Sequence, residues 1–498
     1  MTQTYAGKTG PCRCRLLIQT GIAVMLILLL AGTFTGAACA ADVSWKGSGT
    51  ADDPYLISDA ADLKALSAKG QTSSFADTYF RLTNDITFDD TWESLGPSAE
   101  VKFSGHIDGC GHTISGLQSE SGTAKNHGFI YFAGDYCTVK NLALANCSII
   151  AEDDGESLSG VGGFIGYVRG ADVLLKNCSM KNSRIAFDSN DIGGIVGFIH
   201  KTDNSSVTLE DCAVEHCEIV YSGTDENEHG GRIGGLVGCA NYPCTLKNCT
   251  VKYCRIGTEC GYRAGGLVGC AANIGQHYEN CSVFCCQIFV GDSGKTHEGV
   301  MLGSNAGGLL GGTQKQDSCS MAGCSVKNSV ILASKGNAGG IAGIPMSDSF
   351  AIIGCEVESC TIAAGESNAG GLCGHAEKAD IKDCSVCRSA VRGAENVGLL
   401  AGLEDVSGSV TGDADTVYIK DIVLTDENGE AVSTVETSTL TKITKGYAGN
   451  SVITDIGRYG EGYGCVKAPV QTAGTPLPIA GVLAGLCAAA LFAVKRRE

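Results

Sequence analysis

One glycine phrase recurs along this chain: Gly162-Gly163-Phe164-Ile165-Gly166, Gly193-Gly194-Ile195-Val196-Gly197, Gly234-Gly235-Leu236-Val237-Gly238 and Gly265-Gly266-Leu267-Val268-Gly269. It continues as Gly307-Gly308-Leu309-Leu310-Gly311, Gly339-Gly340-Ile341-Ala342-Gly343 and Gly370-Gly371-Leu372-Cys373-Gly374. The step between phrases is about thirty residues, with two steps longer by roughly ten, a period that marks a solenoid or stacked array. Each such repeat buries its apolar face only against its neighbours, so the repeat outranks every local signal.

Downstream of each phrase stands a cysteine: Cys178, Cys212, Cys249, Cys281, Cys324, Cys355 and Cys384, with Cys147 placed in an earlier, poorer repeat. Three residues before it lie Leu144, Leu175, Leu209, Leu246, Tyr278, Met321, Ile352 and Ile381. Two after it come Ile149, Met180, Val214, Val251, Val283, Val326, Val357 and Val386. Five after it the residue is Ser183, Cys217, Cys254, Cys286, Ser329, Cys360 or Ser389, and seven after it an isoleucine or Val391. Even steps keep side chains on one face of a strand and odd steps reverse the face. These columns can all point inward only if the chain turns corners between them. Each repeat therefore reads as short strands separated by bends, with the glycine phrase as another strand. No step fits a helical stripe. The expected fold is all-β, a right-handed parallel β-helix whose nine or ten turns, about 4.8 Å apart, make a rod on the order of 45 Å long.

The glycines suit a tight corner in every turn. They do not form a phosphate loop, because no Gly-Lys-Ser/Thr follows, and the βαβ context of a dinucleotide site is absent. The phrases resemble the GLUG motif of repeat regions in bacterial and archaeal surface proteins, adhesin-like proteins among them. The resemblance spans roughly Gly128 to Gly402 and implies a β-helical surface domain with no catalytic residues attached to the motif. The final copy, Val397-Gly398-Leu399-Leu400-Ala401, lacks the first glycine, as a worn terminal repeat does.

The ends differ from the middle. Residues 1–40 carry Lys8, Arg13 and Arg15, an apolar run from Leu16 to Leu30 and the small segment Ala37-Ala38-Cys39-Ala40, the pattern of a secretory signal peptide. An uncleaved membrane anchor is the competing reading. Residues 41–127 read as an N-terminal cap with irregular first turns, including a helix over Ala60–Lys69 capped at Ser58 or Asp59, and strands within Tyr79–Phe88 and Phe103–Leu117. The repeat coil occupies 128–403 and a β cap 404–465, with a strand pair at Thr416–Thr425 and Ala431–Thr444. A linker, 466–478, leads to the apolar run 479–494, read as a C-terminal transmembrane helix, and the basic tail 495–498 stays cytoplasmic.

The chain has a net charge of −18, and cleavage at residue 40 removes three basic residues and no acidic one. Nucleic acid is excluded as a partner, since phosphate binding needs clustered Lys and Arg. Twenty-seven cysteines in an exported chain would ordinarily signal disulfides. Here most occupy repeated inward columns, where stacked neighbours lie about 4.8 Å apart, longer than the roughly 3.5–4.5 Å a disulfide prefers. A ladder of small buried thiols is expected, exchangeable with Ser183, Ser329 and Ser389.

Asn146, Asn177, Asn248 and Asn280 each open a formal N-x-Ser/Thr sequon beside the cysteine column, and stacked amides bonding along the rod are expected there. Asn204, in a loop sequon, is the candidate glycan acceptor. The two longest repeats carry insertions before the glycine phrase. One spans 222–232 with Asp225, Glu226, Glu228 and His229, the other 291–305 with Asp292, His297 and Glu298; an earlier loop holds Asp153, Asp154 and Glu156. Insertions on one face often mark a binding face, and hard cations want several carboxylates, so these acids form a candidate ligand or calcium edge. Solvated loop tips are the plainer reading.

No cofactor, resident metal or catalytic residue is expected. The function read from the sequence is a non-catalytic cell-surface protein, adhesin-like or part of the envelope, anchored in the membrane and facing an extracellular ligand such as polysaccharide or another cell surface. The alternative is a polysaccharide lyase or hydrolase on the same scaffold, which would need a cleft of clustered carboxylates.

Overall fold

A computed structural model describes residues 45–435, except 119–126, 152–159, 189, 201–205, 224–230, 259, 273–274, 292–295, 298–299, 302–303, 315–317, 348, 366, 377–378, 394–395, 399–400, 405–409, 413–417, 421 and 426–430. The chain winds through five sheets in succession. One turn runs Val173–Lys176, Ser179–Lys181, Arg184–Phe187, Asp191–Gly193 and Val196–Ile199, and the next turn adds one parallel strand to each sheet. In that order the sheets hold 12, 11, 10, 8 and 9 strands. Such a set of parallel sheets, each built from one strand per turn, is the arrangement of a β-helix solenoid.

The apolar columns read from the sequence pair across turns. Leu175, Leu209, Leu246, Tyr278, Met321, Ile352 and Ile381 stand in register in the first sheet. Met180 through Val386 do so in the second, and Ile185 through Val391 in the third. All of them are buried.

One alignment is corrected. Ser148 pairs with Arg184 and Ala143 with Ser179, so Cys147 stands beside Ser183, and Leu142 takes the place equivalent to Cys178. Asn-Cys occurs at either of two corners five residues apart, and only the backbone pairing tells them apart.

The glycine phrase is not one strand. Its first glycine ends a strand of the fourth sheet and its last lies in a strand of the fifth, with a two-residue corner between. A Cβ on Gly307 would sit 1.9 Å from Leu310 O and 2.7 Å from Gly343 N, both backbone atoms. The backbones of these two sheets therefore approach with no room for a side chain, which is why glycine fills both columns.

The predicted helix forms at Ala60–Gly70, and Asp59 caps it by accepting from the backbone N–H of Ala61 and Asp62. Leu63 and Leu66 are buried beneath it, and Trp45 lies edge-on to Phe80 with its Nε1 donating to Asp62 O. Past Gly402, Val410–Gly412, Tyr418–Lys420 and Ile422–Thr425 still join the first three sheets in parallel. Among the described residues past Gly402 only Ala431–Val435 reverses, pairing antiparallel to Ile422–Thr425. Among the described residues no helix is long and apolar enough to cross a membrane, and segments 1–40 and 479–494 lie outside them.

Candidate functional site

The acids nominated as a ligand or calcium edge, Asp153, Asp154, Asp225, Glu226, Glu228, Asp292 and Glu298, lie outside the described residues, as does Asn204. Of the 291–305 insertion the backbone shows a short hairpin, Thr296–His297 antiparallel to Val300–Met301. Among the described residues no cluster of His, Cys, Asp or Glu is placed to hold a metal ion.

The thiols form ladders. Every described cysteine is free, and most are buried. The one S–H of a column cysteine lies within reach of two carbonyls where the geometry allows. Cys249 Sγ, for example, lies 3.4 Å from Leu209 O of the preceding turn and 3.3 Å from Lys247 O. Where the second column carries serine, Oγ does the same work: Ser329 Oγ donates to Lys327 O and accepts from Cys286 N–H of the preceding turn. Cys254 Sγ takes the equivalent place, donating to Lys252 O and accepting from Cys217 N–H. Burial pushes the thiols of Cys137, Cys244 and Cys360 up to about 12, so they stay protonated. Cys254→Ser should therefore change stability by less than about 1 kcal/mol, whereas Cys254→Val, which orphans Cys217 N–H, should cost about 1–3 kcal/mol in urea titration.

At the corners before these columns the backbone turns left-handed. Asn146, Asn177, Asn248 and Asn280 have φ of 53°, 52°, 53° and 53° and are exposed, a conformation that asparagine tolerates better than most residues. Asn177 Nδ2 donates to Asn141 Oδ1 at 3.0 Å, an amide-to-amide bond between turns, while Asn248 Nδ2 donates to a carboxylate, Asp211 Oδ1, at 3.1 Å.

On the outer face of the first sheet two rows of side chains cross three turns: Tyr79, His106 and Thr138, then Arg81, Asp108 and Lys140. Between them runs a groove of about 320 Å³, lined also by Ala51 and Pro54. The Tyr79 and His106 rings stack at 4.3 Å, and burial lowers the His106 pKa, keeping the imidazole neutral. Asp108 is raised by desolvation but held below its usual value overall by Asn141 Nδ2, Cys110 N–H and Lys140. A carboxylate so engaged is poor as a general acid; the groove carries rings along one row and charges along the other.

A mostly polar column, not foreseen from the sequence, stands two residues before the first glycine of the phrases. Gly160, Asp191, Arg232, Arg263 and Asn305 stand in register in the fourth sheet. Arg232 grips Asp191 with Nε–Oδ1 at 2.6 Å and Nη2–Oδ2 at 2.8 Å, and Asp191 is only 1 % exposed. Burial pushes the Asp191 carboxyl up to about 6 against the pull of Arg232, leaving it ionised at neutral pH. Further along, amides replace the charges: Asn337 Nδ2 donates to Asn305 Oδ1, Asn368 to Asn337 and Asn396 to Asn368, at 2.7–2.8 Å. The constant offset from the phrase was the signal available in the sequence.

Fold and surface together define the class: an all-β parallel coil with a packed interior and an outward groove near its N-terminal end. No family model matches the chain. Over 120 residues it is 33% identical to Halomucin of Haloquadratum walsbyi, a match that covers 22% of this chain and 1% of that protein. A crystal structure from Bacteroides ovatus, described as a candidate immunoglobulin A1 protease, aligns at a TM-score of 0.32 and 17% identity, covering 81% of this chain and 85% of that one. A TM-score at that level carries neither fold nor activity to this chain.

Proposed function

We propose that the chain is a non-catalytic protein of the cell surface, adhesin-like or part of the envelope, with its coil held outside the cell by the apolar segment 479–494. The observation that carries this reading is the stretch shared with Halomucin, by name a mucin and so a protein of the cell exterior. The acidic balance supports it too, since like charge keeps such rods soluble and apart. In this reading the coil has the expected right hand. An extracellular ligand, polysaccharide or another cell surface, is its partner, and the groove of Tyr79, His106, Arg81 and Lys140 is a surface suited to contact it.

Labelling of intact cells with a membrane-impermeant amine reagent tests the placement. Lys176 and Lys382 are exposed and should be modified without lysis, and a chain lacking 476–498 should appear in the medium. Labelling only after lysis overturns the proposal. Release of oligosaccharides from a polysaccharide by the purified chain would favour the lyase or hydrolase instead.

A further inference from the structure

Arg263 poses a charge problem that its pairing does not solve. It is 3 % exposed, in a strand where Arg232 stands one turn before it and Asn305 one turn after. A guanidinium cannot shed its proton in a protein, and a buried one without an anion is strongly disfavoured. The only described carboxylate of the cluster, Asp191, is already held at both oxygens by Arg232. Two guanidiniums face one carboxylate.

The groups around Arg263 are few. Nη2 donates to Tyr262 Oη at 2.8 Å and Nη1 to Cys270 Sγ at 3.0 Å, while Nε has no hydrogen-bond partner among the described residues. Gly312 occupies the next turn at the place of Cys239 and Cys270, and a Cβ there would lie 3.2 Å from Arg263 Nε, so the missing side chain leaves the guanidinium its space. Cys239, one turn before Cys270, keeps its proton, since burial pushes its thiol up, and its one S–H serves either Asn241 Oδ1, 3.5 Å away, or Cys270 Sγ. Tyr278 also faces the cluster electrostatically.

We infer that Cys270 is held as a buried thiolate, the counter-ion of Arg263, in an ion cluster Asp191–Arg232–Cys270–Arg263. This goes beyond the surface placement and stands or falls apart from it. It makes Cys270 a nucleophilic sulfur of the coil interior, a site for small soft electrophiles that reach it by local opening. The Cys239 side chain, Arg263 and Arg232 all favour the charged form over the burial that opposes it, so the native pKa falls well below the ordinary thiol value. A group lowered in the fold adds stability that is full above the unfolded value near 9.0 and is lost as pH falls through the native one.

Absorbance at 240 nm, where thiolates absorb, decides the matter on the full chain kept under reductant. The samples are wild type, Cys270→Ser and Arg263→Asn, the last carrying the amide that the same column holds at Asn305. At pH 7 the wild type should exceed Cys270→Ser by one thiolate equivalent, and Arg263→Asn should fall to the level of Cys270→Ser. If Cys270→Ser does not fold, Arg263→Asn alone serves as reference. The inference is overturned if folded wild type and variant superimpose at pH 7 and separate only near pH 9.

Discussion

Gly307→Ala is expected to destabilise the coil by about 4 kcal/mol, at the upper end for a single substitution. The added methyl carbon would lie 1.9 Å from Leu310 O and 2.7 Å from Gly343 N, and neither backbone atom can swing aside as a side-chain tip would. The fourth and fifth sheets would have to part over several turns, because each strand is hydrogen-bonded to the next. Urea denaturation followed by circular dichroism reads the effect. Gly354→Asn is the control: its φ of +60° is one that asparagine adopts at the same corner in other turns, and the nearest atom is 4.0 Å away, so less than about 1 kcal/mol should be lost. A Gly307→Ala protein that unfolds with the wild type would show that the close approach of the two sheets is not what glycine serves.

Asp191→Ala should cost about 3–5 kcal/mol, because it strands the Arg232 guanidinium in the interior, where removing one partner of a buried pair is far worse than removing both. The double variant Asp191→Ala with Arg232→Ala should recover much of that loss. A double variant no better than the single would mean that Arg232 finds another anion. Thermal melts of wild type, the two single variants and the double variant form the cycle that decides.

Both predictions rest on parts of the coil that were unequally legible in the sequence. The columns of Leu209, Val214 and Ile219 could be read because apolar residues of like size repeat at fixed offsets, and a coil must stack them. The helix at Ala60–Gly70 was legible from its spacing and its cap. The charged column was not, because Asp191, Arg232, Arg263 and Asn305 share a position without sharing a chemistry, so a search for likeness passes over them. Cys147 belongs one corner further along than its sequence suggests, because an Asn-Cys pair fits either corner and only the Ser148–Arg184 pairing chooses. The glycine phrase was visible as a repeat, but the division of its residues between two sheets follows from backbone contacts that no pattern of side chains records.

A stack of near-copies faces a hazard that a unique fold does not: one rung can be mistaken for another, within a chain or between chains during synthesis. Most rungs here are interchangeable at their sulfur, amide and aliphatic positions. The Asp191–Arg232 pair is not, since Arg232 set beside Gly160, or Asp191 beside Asn305, would leave a buried charge without its mate. That one pairing gives the middle of the coil an address, and mis-threaded chains would be rejected there on electrostatic grounds.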